Sequence, residues 1–246
     1  MTQATTAIPP VVSRSEWLAA RKALLAKEKE ATRVRDAVNA ERRRLPMVRI
    51  EEDYVFAGPD GSRSLLDLFE GRRQLYVHHF MWVDERDEGC PACSMAVELN
   101  FTPPLLTRLH ELDVAFAAIS RAPLASITRF KQRRGWSFPW YSSHGSSFNH
   151  DFQVTLDESV APVVYNYRNR EELLAAGFTP DVLTGDWTGN SVFLRNGDTV
   201  FHTYSAYARS LDQLATPYNF LDLTPFGRQE DWEDSPAGFP QKPTYG

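Results

Sequence analysis

Only two cysteines occur in the 246 residues, and two residues separate them: Cys90-Pro91-Ala92-Cys93. A strand-like apolar run, Gln74 to Trp82, precedes the pair. A helix-compatible stretch follows it, and then a second strand, Val114 to Ser120. A dithiol at this spacing, set between a strand and a helix, opens and closes a small disulfide ring without moving its scaffold. That is the leading reading. A zinc half-site is a second reading, but it needs another Cys or His pair at short spacing. There is no second Cys pair, and the six histidines place no such pair near the motif. A third reading takes both cysteines as ordinary small buried hydrophobes.

Composition narrows the partners. A formal net charge of −5 and a pI near 5.7 argue against nucleic acid, because phosphate binding needs a basic field. No apolar run is long enough to span a bilayer, so no membrane partner is expected. The N-terminal residues lack the basic flank and apolar block of a secretory signal, which makes a cytoplasmic location the default expectation. A vicinal dithiol there is mostly reduced at rest, and any disulfide is transient.

Residues 1–12 read as a tail. Ser13 and Glu16 fit a capping box that opens a helix running to about Arg44. Trp17, Ala20, Leu24, Ala31, Val34 and Val38 follow heptad-like spacing along it, broken near Lys27 and Glu28. Such a helix either lies on its own domain or serves as a homodimer arm. The expected organisation is an N-terminal tail and helix (1–46), an α/β domain (47–223) and an irregular C-terminal tail (224–246). Within the domain, Met47 to Phe56 reads as a strand, Gly58 to Gly61 as a turn and Ser64 to Phe69 as a short helix. Pro123 is placed at the first position of a later helix that Gly135 ends. Residues 148–188 look like an elaboration, with a helix near 170–176. Asn196-Gly197 between two β-rich runs predicts a hairpin with a type I′ turn. The order β-α-β, then α-β and a β-hairpin, is that of a thioredoxin fold. The strand, turn and helix at 47–70 are what peroxiredoxin-like members add before the core.

Six stretches spread over residues 12–230 carry a family resemblance. They are Val12 to Lys22, Glu88 to Ser94, Ser120 to Leu124, Gly135 to Trp140, Phe201 to Ser205 and Leu221 to Pro225. Through them the chain resembles the thioredoxin-like family known as domain of unknown function 899. The resemblance implies a thioredoxin-like fold and dithiol–disulfide chemistry, with no particular substrate.

At a helix start, the Cys90 thiolate faces unpaired backbone N–H groups and the positive end of the helix dipole, which makes it the attacking sulfur. Cys93, one turn on and expected to be more buried, is the resolving thiol. The expected partner is a protein or small-molecule thiol or disulfide, and the exchange needs no cofactor. Asp84, Glu85, Asp87 and Glu88 crowd the approach to Cys90 and are expected to oppose its ionisation if they fold over it. The residues before Val192 are Gly189-Asn190-Ser191, without the proline that faces the cysteines in thioredoxins. The residues before Cys90 lack the Pro and Thr of the peroxiredoxin motif. Arg121, after the second strand, is a candidate anion contact or else a surface ion pair. Trp82, Trp136 and Trp140 either line an apolar groove beside the cysteines or belong to the core. His78 and His79 alternate faces of the strand, one as a core residue and the other free to approach the cysteines. His202 and Tyr204 are expected on one face of the hairpin. A scaffold or binding module without catalysis, and a metal site built from Cys90, Cys93 and a histidine, remain as rivals.

Overall fold

Ser13 accepts a hydrogen bond from Glu16 N while the Glu16 carboxylate accepts from Ser13 N at 2.9 Å, so the capping box starts α1 (Arg14–Arg42) where expected. The computed structural model describes residues 7–242, the Glu85 side chain excepted. Residues 1–6 of the expected N-terminal tail and 243–246 of the expected C-terminal tail therefore lie outside the described residues. Two units result. One comprises residues 47–215, and the other joins the segment up to Pro46 with that from Thr216.

The larger unit is built on an eight-stranded sheet. In chain order its strands are β1 (Val48–Arg49), β2 (Val55–Gly58), β3 (Gly61–Ser64), β4 (Gln74–His79), β5 (Val114–Ser120), β6 (Trp140–Ser142), β7 (Gly189–Asn196) and β8 (Thr199–Tyr207). Their spatial order is β1-β8-β7-β4-β5-β6-β2-β3. β4 and β5 are parallel, with α2 (Pro91–Asn100) and α3 (Pro103–Glu111) in the crossover. β7 runs antiparallel to β4 and turns back into β8. This four-strand order, a β-α-β unit beside an antiparallel hairpin, is the thioredoxin fold. β6 extends it in parallel on the far side, after α4 (Leu124–Arg134).

Both faces of the central strands are covered, which explains their near-continuous apolar sequences. On β5, Ala115, Ala117 and Ile119 join a core with Phe56, Phe148, Phe152 and Phe193, while Phe116 and Ala118 join a second core with Val97, Ile127 and Phe130. Phe56, Phe148 and Phe193 are fully buried, each worth about 1.5–3 kcal/mol by area removed from water.

Several local expectations shift. Met47 to Phe56 is not one strand. The acidic run Glu51-Glu52-Asp53 breaks its alternation, and the chain crosses from one sheet edge to the other: β1 pairs with β8, and β2 with β6. The first core strand ends at His79 rather than Trp82, because the chain then turns out of the sheet. Pro123 caps α4, with Leu124 its first residue, and Gly135 closes the helix at φ 68°, in the left-handed region. The hairpin turn slips by one residue. Asn196 pairs with Thr199, leaving Gly197-Asp198 as the loop. Gly197 alone has positive φ there, whereas a type I′ turn needs both central residues positive. A register shift between Val192 and Phe193 breaks the alternation of β8: Val192 faces Tyr204, but Phe193 faces His202. His202 therefore packs on Phe193 and Phe152 and does not follow Tyr204.

Candidate active site

Between β4 and α2 the chain makes a short excursion. Trp82–Val83 pairs antiparallel with Glu88–Gly89, around a 3-10 turn at Asp84–Arg86. Phe80 N donates to Ile119 O at 2.8 Å, and Cys90 N donates to Met81 O at 3.0 Å, so both ends of the excursion are tied down. Gly89 is required by close approach: a Cβ there would sit 2.7 Å from the Phe80 ring and 2.9 Å from that of Phe130. The chain thus delivers Cys90 to the N-cap of α2, with Pro91 at the first helical position, where its missing N–H costs nothing.

The two sulfurs are reduced and differ in environment. Cys90 is partly exposed and Cys93 is buried. The Cys90 thiolate is stabilised first by the Cys93 S–H and then, against the opposing effect of burial, by the backbone N–H groups of Cys93 and Ala92 and the charge of Arg86. Together these bring its pKa down to about 6. Cys93 moves the other way. Its proton is held by Cys90, and burial adds to the rise, while the Thr188 hydroxyl and Met81 N–H partly offset it. The pair is therefore polarised, with one sulfur ready as thiolate and the other as proton donor.

The acidic run does not fold over Cys90 as a bare negative patch. Asp84 accepts from Arg121 at 2.7 Å, Asp87 from Arg129 at 2.6 Å and Glu88 from Arg133 at 2.9 Å. Each of these three carboxylates meets its own guanidinium, so its field at the sulfur is largely cancelled; the Glu85 side chain lies outside the described residues. The charge that acts on Cys90 is that of Arg86. Converting Asp87→Asn and Glu88→Gln together should lower the Cys90 pKa by less than about half a unit, with the small shift vanishing at high salt. Iodoacetamide alkylation as a function of pH measures this; a larger fall would mean that the run suppresses the thiolate after all.

Arg121 stands at the carboxyl end of β5, but two carboxylates hold its guanidinium. Nε donates to Asp186 at 2.9 Å and Nη2 to Asp84. The Asp186 side chain is only 2% exposed and also accepts from Thr155 at 2.7 Å. Its charge is therefore already shared between two carboxylates. Arg121 thus joins the excursion loop to the elaboration that carries Asp186.

Trp82 and Trp140 are buried and Trp136 is half-buried, all packed in the core cluster that contains Cys93 and borders Cys90. Ring centroids lie 6.3 Å apart for Trp82–Trp140 and 5.8 Å for Trp136–Trp140. Trp136 and Trp140, with Leu124, Ile127 and Lys131, line a concave pocket of about 220 Å³ whose lining includes neither cysteine, while Trp82 packs among the buried rings. His78 lies on the cysteine side of the sheet, near Phe80 and Phe101, and its Nδ1 is 2.7 Å from Asn190 Oδ1. His79 faces the other core, with Nε2 2.8 Å from Ser191 Oγ. Among the described residues no group of three or more His, Cys, Asp or Glu side chains is placed to hold a metal ion, so the Cys–Cys–His alternative is not assembled.

Three contributors escaped sequence reasoning. Thr188, just before β7, contacts Cys93 and donates to His79 O at 3.2 Å. Arg86 and Asp186 are the others. Nothing in local periodicity marks them, because each acts across a loop.

A thioredoxin-fold chain with a polarised Cys-x-x-Cys at the start of its first crossover helix is the class that fold and site define. Within that class the chain belongs to the family described as bacterial protein of unknown function DUF899, which matches it over residues 6–244. No curated protein matches. Among solved structures, a cysteine mutant of peroxiredoxin Q from Xanthomonas campestris is similar at 12% identity, covering 72% of this chain and 98% of that one, with a TM-score of 0.45. Peroxidoxin BcpB from Mycobacterium tuberculosis is similar at 15% identity, covering 70% and 94%, with a TM-score of 0.42. The fold assignment rests on the strand order and crossover described above. No described helix is long and apolar enough to cross a membrane.

Proposed function

We propose that the protein carries out thiol–disulfide exchange through Cys90 and Cys93. The observation that supports this most directly is the opposed environment of the two sulfurs: a Cys90 pKa lowered to about 6 at a helix start, beside a buried thiol that holds its proton. The Cys90 thiolate attacks one sulfur of a substrate disulfide. The substrate S–S bond breaks, a mixed disulfide forms and one substrate thiolate leaves. Cys93 then gives up its proton to that leaving thiolate or to solvent and attacks Cys90 Sγ. The second substrate thiol departs, and the Cys90–Cys93 disulfide holds the oxidised state. Two electrons have passed to the substrate, and a thiol donor restores the pair. The reverse direction uses the same steps.

The test is a redox titration in glutathione buffers, with thiol labelling and intact mass. A reversible loss of two hydrogens confined to Cys90 and Cys93 is expected. Oxidation only to sulfinic acid, or only to intermolecular dimers, would leave the chain a thioredoxin-fold scaffold.

A further inference from the structure

The face of α1 is the largest feature that the thiol site leaves unused. None of its 29 residues is buried, although it carries Trp17, Leu24, Val34 and Val38 at 45–55% exposure. Most of a helix's stability in a protein comes from packing its apolar face, so this stripe calls for a cover. The stripe keeps a heptad frame. Trp17, Leu24, Ala31 and Val38 fall on the first core row, and Ala20 and Val34 on the second, which Lys27 interrupts and Glu41 ends.

The residues flanking this stripe say what covers it. One flanking row reads Glu16, Ala23, Glu30, Ala37, and the other Arg21, Glu28, Arg35, Arg42. In a parallel, in-register pair each residue of the first row meets the residue five positions on in the other copy. Glu16 then faces Arg21 and Glu30 faces Arg35, on both seams, while Ala23 and Ala37 oppose the remaining charges without repulsion. An antiparallel pair sets the Arg-rich row against itself: at full overlap Arg21 meets Arg42 and repels while Glu28 meets Arg35, so repulsion offsets attraction there, whereas the parallel pair has attractive contacts only. Arg21 now pairs with Glu28 of its own helix at 2.9 Å and is available to be shared. We infer that α1 is a homodimerisation arm that forms a parallel two-stranded coiled coil with α1 of a second copy of this chain. Lys27 forms its one polar inner layer, with the aliphatic stem packed and the ammonium carried to the rim.

Sedimentation velocity of the full chain tests this, with far-UV circular dichroism confirming that each variant is folded. The wild type should dimerise reversibly. Leu24→Glu with Val34→Glu should sediment as a monomer, whereas Lys27→Leu should tighten the dimer about tenfold or more by making its inner layer apolar. Glu16→Arg with Glu30→Arg should abolish self-association. So should Arg21→Glu with Arg35→Glu, and mixing these two variants should restore a dimer. A chain that stays monomeric even with Lys27→Leu overturns the proposal. So does a dimer indifferent to Leu24→Glu with Val34→Glu, or one that the charge reversals do not weaken.

Discussion

Alkylated under limiting iodoacetamide, Cys90 should react first, with a rate that rises through a midpoint near pH 6. At pH 7 most of Cys90 is then thiolate. A thiol held above its ordinary value near 9 is at most about one per cent ionised, so Cys93 should lag by roughly a hundredfold or more before its burial slows it further. The cause is separable by mutation. Cys93→Ala removes the foremost donor to the Cys90 thiolate and should move the midpoint upward. Cys93→Ser keeps an O–H donor in place and should move it less. Peptide mapping of the alkylated protein assigns each rate to its cysteine. Faster labelling of Cys93, or a Cys90 midpoint that stays near 9, would reverse the roles of the two sulfurs.

Acid should unfold the larger unit through His78 and His79. Burial pushes His78 down to about 4 and His79 to about 3 from an ordinary value of 6.5, with the neighbouring histidines adding to the fall for His79. The folded pKa values lie below the unfolded one, so between about pH 4 and pH 6.5 the unfolded chain binds more protons. Stability is therefore complete above pH 6.5 and falls as the pH drops. Where both sites are protonated only in the unfolded chain, the slope approaches about 2.7 kcal/mol per pH unit, two protons at about 1.36 each. Urea titrations from pH 7.5 to 4.5 measure it, and His79→Gln, which cannot take up that proton, should roughly halve the slope. A midpoint that does not change with pH over this range would mean that the rings are solvated or paired in a way the structure does not show.

The two histidines also show where reading a sequence stops. Their alternation on a strand is legible, and so is the consequence that they face opposite cores. That Asn190 and Ser191 meet them, 112 residues on, follows only from the register of β7 on β4. The acidic run gives the same lesson. Its composition suggests a field opposing Cys90. The sign of the outcome depended on Arg121, Arg129 and Arg133, which α4 and the end of β5 bring to it from about 40 residues away. The tryptophans were legible as a cluster, but which of them are buried and which line a pocket was not, because solvent access depends on what packs on each ring.

By itself the sequence determined the parts ruled by local chemistry. These are the Ser13 capping box, the long first helix, the strand–helix–strand order around Cys90 and Cys93, and the hairpin after Gly189. Each rests on hydrogen bonds or periodicities that span a few residues. Only the tertiary structure decided the edge-to-edge crossing between β1 and β2, the register shift that turns His202 to the core, the contact of Thr188 with Cys93, and the arginines that meet the acidic run. Those depend on groups far apart in the chain being brought within a few ångströms, which residue spacing along the chain does not encode.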